Sequence, residues 1–178
     1  KLKADPQNKL HWRRTPARLE AEVIRDSILK VSGRLDERMF GAGTLDERML
    51  RRSIYFMIKR SKLIPSMQLF DSPEPLVSQG SRPVTIIAPQ ALHFMNNGQV
   101  RASAMELARQ LKAQPDTAAA VTLGYQTVLG RAPTPKEQKS IASFIDVQEK
   151  SYTNNGRELA LADFVQVLFG LNEFIYVQ

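Results

Sequence analysis

The last third of the chain has the clearest hydrophobic pattern, with apolar residues at helical spacing between well-marked ends. Asp116 is placed to cap a helix that Gly130 closes. The segment Thr134–Glu137 has the form of a capping box with proline at the first helical position, and it predicts a helix that ends before Asn154. A last helix is predicted over about 158–171, with its apolar face on Leu161, Phe164, Val165, Leu168 and Phe169.

Earlier segments show the same period, with weaker boundaries. Thr15-Pro16 predicts the start of a first helix that ends at Gly33, with Leu19, Val23, Ile24, Ile28 and Val31 facing inward. Pro89 predicts a helix that stops near Asn96-Asn97-Gly98, and another helix follows to about Lys112. The apolar residues 174–176 are expected to dock on the core as a tail.

Residues 71–83 hold three prolines and several small residues, so they are expected to form an irregular loop. The β-branched and aromatic segments 53–58 and 84–87 predict at most one small two-stranded β element. A helix over 46–62 is an open alternative for the first of these segments, because Met49, Ile54 and Met57 also fit a 3.6-residue period. The expected fold class is therefore mainly α, a compact multi-helix domain.

The bulk composition fits one domain over 1–178, with residues 1–14 as an extended arm. Hydrophobic residues make up 43% of the chain and charged residues 24%, without a low-complexity tract. The longest apolar runs are far shorter than the roughly 18 residues that a membrane span needs. The chain starts at Lys1 without a methionine, which is typical of a mature product or a fragment. It has no cysteine, which excludes a disulfide, a thiolate metal site and a Cys-x-x-Cys-His haem attachment within these residues.

The net charge of +7 lies entirely in the first half of the chain. Residues 1–82 contain 17 Lys/Arg against 10 Asp/Glu, whereas residues 83–178 contain 8 of each. Such an excess is able to attract polyanions. The basic residues are interleaved with acids, so a solvated face with internal ion pairs is the favoured interpretation. Aromatic residues are too sparse in this half to favour stacking with nucleic acid.

The residues show no enzyme signature, and we expect no catalysis. His11 and His93 are the only histidines, and neither has a second ligand at metal spacing. His93 is interpreted as a packed or capping histidine. Gly41-Ala42-Gly43 lacks the rest of a phosphate-binding or dinucleotide motif. No cofactor or metal site is predicted in this chain.

A set of polar residues would be unfavourable if buried without partners, and it is the candidate site: Glu22, Arg25, Asp26, Arg51, Arg52, Asp71, Gln90 and Asn96. On a helix from residue 16, Arg18 would lie one turn from Glu22, and Glu22 one turn from Asp26. The favoured interpretation is a network of ion pairs that fixes this helix against the proline loop. The alternative is a saccharide cleft in which Glu22, Asp26 and Asp71 bind sugar or act as acid and base.

Several phrases in order resemble one known family: 18–26, 31–36, 51–55, 70–75, 88–97, 129–134 and 171–177. Together, over about 12–177, they resemble the C-terminal "PSD-one" domain of unknown function of large exported proteins from planctomycetes and related bacteria. The resemblance implies that the chain is the C-terminal part of a larger family domain, in an exported or periplasmic setting. It also implies a neighbouring c-type cytochrome domain, so that haem c belongs only to other domains. The family offers no catalytic residues to transfer.

The expected function is accordingly that of a non-catalytic structural or interaction domain in a multidomain exported protein. Its expected partners are other domains of the same polypeptide, and a polysaccharide as a further candidate. The neighbouring domains would link it to polysaccharide use or electron transfer. Carbohydrate binding or catalysis through Glu22, Asp26 and Asp71 is the first alternative, and polyanion binding through the basic half is the second.

Overall fold

The computed structural model describes residues 5–177 and confirms a mainly helical fold with one small two-stranded antiparallel sheet. The elements among these residues are β1 (Ala17–Arg18), α1 (Ala21–Val31), a single 3-10 turn (Ser53–Tyr55), α2 (Pro65–Leu69), α3 (Ala88–Asn96), α4 (Gly98–Lys112), α5 (Thr117–Leu129), α6 (Pro135–Ser151), α7 (Gly156–Phe169), α8 (Asn172–Ile175) and β2 (Tyr176–Val177). None of the described helices has the length and apolar character needed to cross a membrane.

Helix α7 is the centre of the core. All five residues of its predicted apolar face are fully buried. It packs mainly against α4 and α6, and also contacts α3, α5 and α8. The rings of Tyr125 and Phe164 stack with their centroids 6.1 Å apart, which joins α5 to α7. The hydrophobic period of the last third therefore identified the core correctly.

Side-chain caps explain why the boundaries of the helices from α4 to α6 were predictable. The Asn97 side chain accepts a hydrogen bond from the Gln99 amide at 2.8 Å, and that of Asp116 accepts one from the Ala119 amide at 2.7 Å. Thr134 and Glu137 form the predicted capping box. Gly130 ends α5 with a left-handed φ of 71°, which a residue with a side chain adopts only at a cost.

The first helix begins later than predicted, because the residues before it belong to the sheet. Ala17 and Arg18 pair with Val177 and Tyr176, and the Leu19 amide donates to the Ile175 carbonyl at 2.8 Å. These long-range hydrogen bonds pair the backbone N–H and C=O groups that a helix from Thr15 would have paired within itself. Residues 172–177 dock on the core as expected, with Phe174 and Ile175 buried.

The predicted strands at 53–58 and 84–87 are wrong, and so is the alternative helix over 46–62. The backbone and hydroxyl of Ser53 are bound by Asp26, and those of Thr85 by Asp71, so carboxylates take the places of strand partners. Thr44 makes only an isolated bridge with Phe56. The short helix α2 was not predicted, whereas 71–83 is irregular as expected.

Part of the N-terminal arm, 1–14, lies outside the described residues, which begin at Asp5. The Asp5 carboxylate accepts hydrogen bonds from the amides of Lys9 and Leu10, at 2.9 and 2.8 Å. The Trp12 indole donates to the Asp5 carbonyl at 3.0 Å. These bonds close turns over residues 6–10.

Candidate functional site

A cleft of about 710 Å³ runs between α1, the segment 52–68 and the loop 72–82. Helix α1 turns Ala21, Ile24 and Ile28 into the core, so Glu22 and Asp26, one turn apart, point the other way. Facing them is a second wall, here called the basic wall, made of Arg52, Ile54, Met57, Ile58, Lys59 and Lys62.

Glu22 is held by an arginine from the proline loop. Arg82 donates to both of its carboxylate oxygens, at 2.8 and 3.1 Å, and one of the same guanidinium nitrogens lies 3.3 Å from Glu20. Partial burial opposes ionisation of Glu22, but the hydrogen bonds and charge of Arg82 outweigh it, and the pKa of Glu22 lies below its ordinary value. The pair therefore keeps this carboxylate charged and ties the loop to α1.

Asp26 joins α1 to the irregular segment behind it. It accepts hydrogen bonds from the Ser53 amide at 2.8 Å and the Ser53 hydroxyl at 2.7 Å, and Arg25 lies 3.3 Å away. Arg25 also donates to the carbonyls of Met49 and Arg51, and its guanidinium lies 4.7 Å from the centre of the Phe56 ring. The two residues thus fix 49–56 against the helix, a segment other than the proline loop that the network interpretation named.

Arg51 and Arg52 have different environments although they are adjacent. The Arg51 guanidinium stacks on Tyr55, 3.5 Å from the ring centre, and donates to the carbonyls of Ala42 and Phe40. Arg52 is exposed and lines the cleft. Its side chain makes no hydrogen bond or ion pair with any residue among 5–177.

Asp71 does not line the cleft, although it belongs to the predicted site. It forms a buried ion pair with Arg18 at 2.6 Å, in which the side chains are 12% and 4% exposed. It also accepts hydrogen bonds from the Thr85 amide and hydroxyl, both at 2.8 Å. Arg18 therefore pairs with Asp71. The predicted helix from residue 16 would instead have placed Arg18 beside Glu22.

Gln90 and Asn96 also lie apart from the carboxylates of α1. Gln90 is buried, and its amide donates to the carbonyls of Leu69 and Thr85, at 3.0 and 3.2 Å. It joins α3 to the end of α2. Asn96 is exposed at the end of α3, and the next residue, Asn97, is the one that caps a helix.

His93 is packed against aromatic rings. It meets Phe70 and Phe94 edge-on, with ring centroids 5.5 and 5.9 Å apart. Burial lowers its pKa, and the charge of Glu47 offsets only part of that effect. Within residues 5–177, no cluster of three or more His, Cys, Asp or Glu side chains is suited to hold a metal ion.

The two walls of the cleft differ in whether their charged side chains already have partners within the domain. The three carboxylates that line it, Glu20, Glu22 and Asp26, each have a partner. The basic wall carries three cations without an ion-pair partner among the described residues, and three exposed aliphatic side chains. The sequence could not indicate the role of Arg82, because 60 residues separate it from Glu22.

The family model PSD1, described as a protein of unknown function (DUF1553), matches residues 1–145. The match contains all eight residues of the predicted site and ends within α6. The closing phrase 171–177, which also resembled the family, lies beyond it. No curated protein and no solved structure matches the chain.

Proposed function

The chain belongs to the PSD1 family of proteins of unknown function (DUF1553), and on that premise we propose that it is a non-catalytic interaction domain whose binding surface is the cleft beside α1. One observation carries the proposal. The carboxylates of the cleft are occupied by internal partners, whereas the cations and aliphatic side chains of the basic wall are open to solvent. Groups that are exposed, unpaired and adjacent are available to a partner.

The electrostatics of α1 favour binding over glycosidic catalysis. A general acid at neutral pH needs a raised pKa, but the pKa of Glu22 is lowered by its arginine partner. Asp26 accepts two hydrogen bonds from Ser53, and Asp71 lies outside the cleft with Arg18. These contacts support structural roles for the three carboxylates as part of the proposal.

The wider setting is part of the same proposal. We infer an exported or periplasmic multidomain protein in which other domains of the polypeptide are the partners of this one. Haem c and any polysaccharide chemistry would belong to those neighbours. The support is the resemblance of the sequence phrases, and the test is the upstream sequence of the gene. A signal peptide and a Cys-x-x-Cys-His motif there would support it, and a cytosolic single-domain gene would contradict it.

The binding surface is tested with two matched substitutions. Ile58→Asp places a charge on the basic wall, where Ile58 is 86% exposed, and Ile86→Asp places one outside the cleft at a residue that is 79% exposed. Each variant is titrated by calorimetry against the separately produced remainder of the gene product, after circular dichroism has shown unchanged helix content. We expect binding that Ile58→Asp weakens at least tenfold and Ile86→Asp leaves unchanged.

Hydrolysis is assayed in parallel on a panel of neutral and acidic glycans. The proposal expects no turnover. Glycan cleavage that Glu22→Gln or Asp26→Asn abolishes would overturn it, as would binding that is equally insensitive to both isoleucine substitutions.

A further inference from the structure

The basic wall has a composition that selects a particular class of partner. We propose that the cleft binds an acidic polypeptide segment with large aliphatic side chains. This inference rests on the proposed function, and it adds the chemistry of the occupant.

The charge of the cleft favours an acidic ligand. Arg82 pairs with both Glu20 and Glu22, so these three side chains keep one net negative charge, and Ser53 with Arg25 engages Asp26. Arg52, Lys59 and Lys62 have no such partners among residues 5–177. The charge left for a ligand is therefore positive, and carboxylates of a partner would complement it.

The lysines are held together by the backbone. Lys59 and Lys62 form an antiparallel bridge, and the Lys62 amide donates to the Lys59 carbonyl at 3.1 Å. This tight turn brings the two lysine residues close together at one end of the basic wall. Two cations on neighbouring backbone positions are complementary to a carboxylate of the ligand.

Next to these cations lie aliphatic side chains that the domain itself leaves uncovered. Ile54, Met57 and Ile58 are 74%, 51% and 86% exposed. Burial of such side chains against an apolar partner surface is favourable, because it removes apolar area from water. Methionine also adapts its shape to different partners. An apolar partner surface would therefore supply much of the affinity, and the cations would orient it.

The same wall is poorly suited to sugars and nucleic acids. These ligands are usually held by open aromatic faces on which rings stack. Phe56 is the one aromatic side chain among the described residues that line the cleft, and the Arg25 guanidinium covers its ring. A peptide with leucine or isoleucine side chains matches the wall better.

The test is a fluorescence-anisotropy titration with three labelled probes. The first is a 15-residue peptide of glutamate and leucine, the second is the same peptide with glutamine for glutamate, and the third is a sulfated glycan fragment. The chain carries a matched control for charge reversal. Lys59→Glu with Lys62→Glu alters the wall, whereas Lys136→Glu with Lys139→Glu alters two exposed lysines at the same spacing on α6.

We expect the acidic peptide to bind at least tenfold more tightly than its glutamine analogue. The Lys59/Lys62 reversal should remove that difference, and the Lys136/Lys139 reversal should preserve it. Tighter binding of the sulfated glycan than of the peptide, lost on the Lys59/Lys62 reversal, would overturn the acidic segment as occupant and leave the cleft as a binding surface. A Lys59/Lys62 reversal that changes no probe's affinity would overturn both.

Discussion

Two helices begin with a glycine, and we expect substitution of that glycine by alanine to change the stability in opposite directions in the two cases. Gly156 begins α7 and Gly98 begins α4. A Cβ added at Gly156 would lie 2.4 Å from the carbonyl oxygen of Glu149, on the preceding helix. At Gly98 no atom lies within 4 Å of the same position.

The clash at Gly156 is with backbone, so it cannot be relieved by turning a side chain. The Glu149 carbonyl would have to move by about 1 Å to reach ordinary contact distance. It is not free to do so, because the α6–α7 connection is tied down by a hydrogen bond of 2.8 Å between Tyr152 and Asp163. Overpacking lowers the free energy of unfolding by about 1–3 kcal/mol. The higher helix propensity of alanine offsets at most about 1 kcal/mol of that loss.

We therefore expect Gly156→Ala to lower the free energy of unfolding by about 2 kcal/mol, which is roughly 4–8 °C in Tm for a chain of this size. Gly98→Ala should raise the free energy of unfolding by about 0.4–1 kcal/mol, because it restricts the unfolded chain without a clash. Urea unfolding followed by circular dichroism measures both, with equal m-values required for the comparison. If Gly156→Ala proves as stable as Gly98→Ala, the close approach of α6 and α7 is wrong.

Three further predictions concern the polar side chains of Asp26, Asp71 and His93. Asp26→Asn should lower the free energy of unfolding by about 1.5–3 kcal/mol in urea unfolding, because it weakens charged hydrogen bonds to Ser53, and a change below 0.5 kcal/mol would contradict that role. Asp71→Asn keeps a residue that tolerates the φ of 62° at this position, but it leaves Arg18 buried without a charge partner. We therefore expect the free energy of unfolding to fall by about 3–5 kcal/mol. Arg18→Met should lower it by less, because that substitution removes the buried charge itself. The pKa of His93 should lie below 6.5 in an NMR titration. Because the unfolded state then gains its proton first, stability should fall as the pH drops below 6.5, and His93→Gln should remove that part of the slope.

The C-terminal half was predictable because its structure is encoded locally. A cap such as Thr134, a terminator such as Gly130 and a 3.6-residue apolar period all act within a few residues of one another. Their agreement left few alternatives for α5, α6 and α7. The burial of Phe164 and its neighbours followed from the same period.

The N-terminal half was less predictable because its backbone is held by distant side chains. Arg25 donates to carbonyls 24 and 26 residues away, and Asp71 receives Arg18 from 53 residues away. No spacing rule links such residues, so strands were expected where arginines and carboxylates bind the backbone. Glu22 and Asp26 lie in one cleft because both belong to a single helix, whereas the partnership of Glu22 with Arg82 could be found only from the fold.

The pairing of β1 with β2 has a consequence for how the chain folds during synthesis. Ala17 meets Val177, 160 residues later, and the logarithmic term for closing so long a loop is about 4.5 kcal/mol. Two residue pairs cannot offset that on their own, so the ribbon should close only after α7 and α8 have docked. At about 5–20 residues per second, a ribosome needs roughly 8–30 s to reach the second strand after the first. Over that interval Arg18 has no β partner, and a chaperone or a neighbouring domain has its longest access to the N-terminal half.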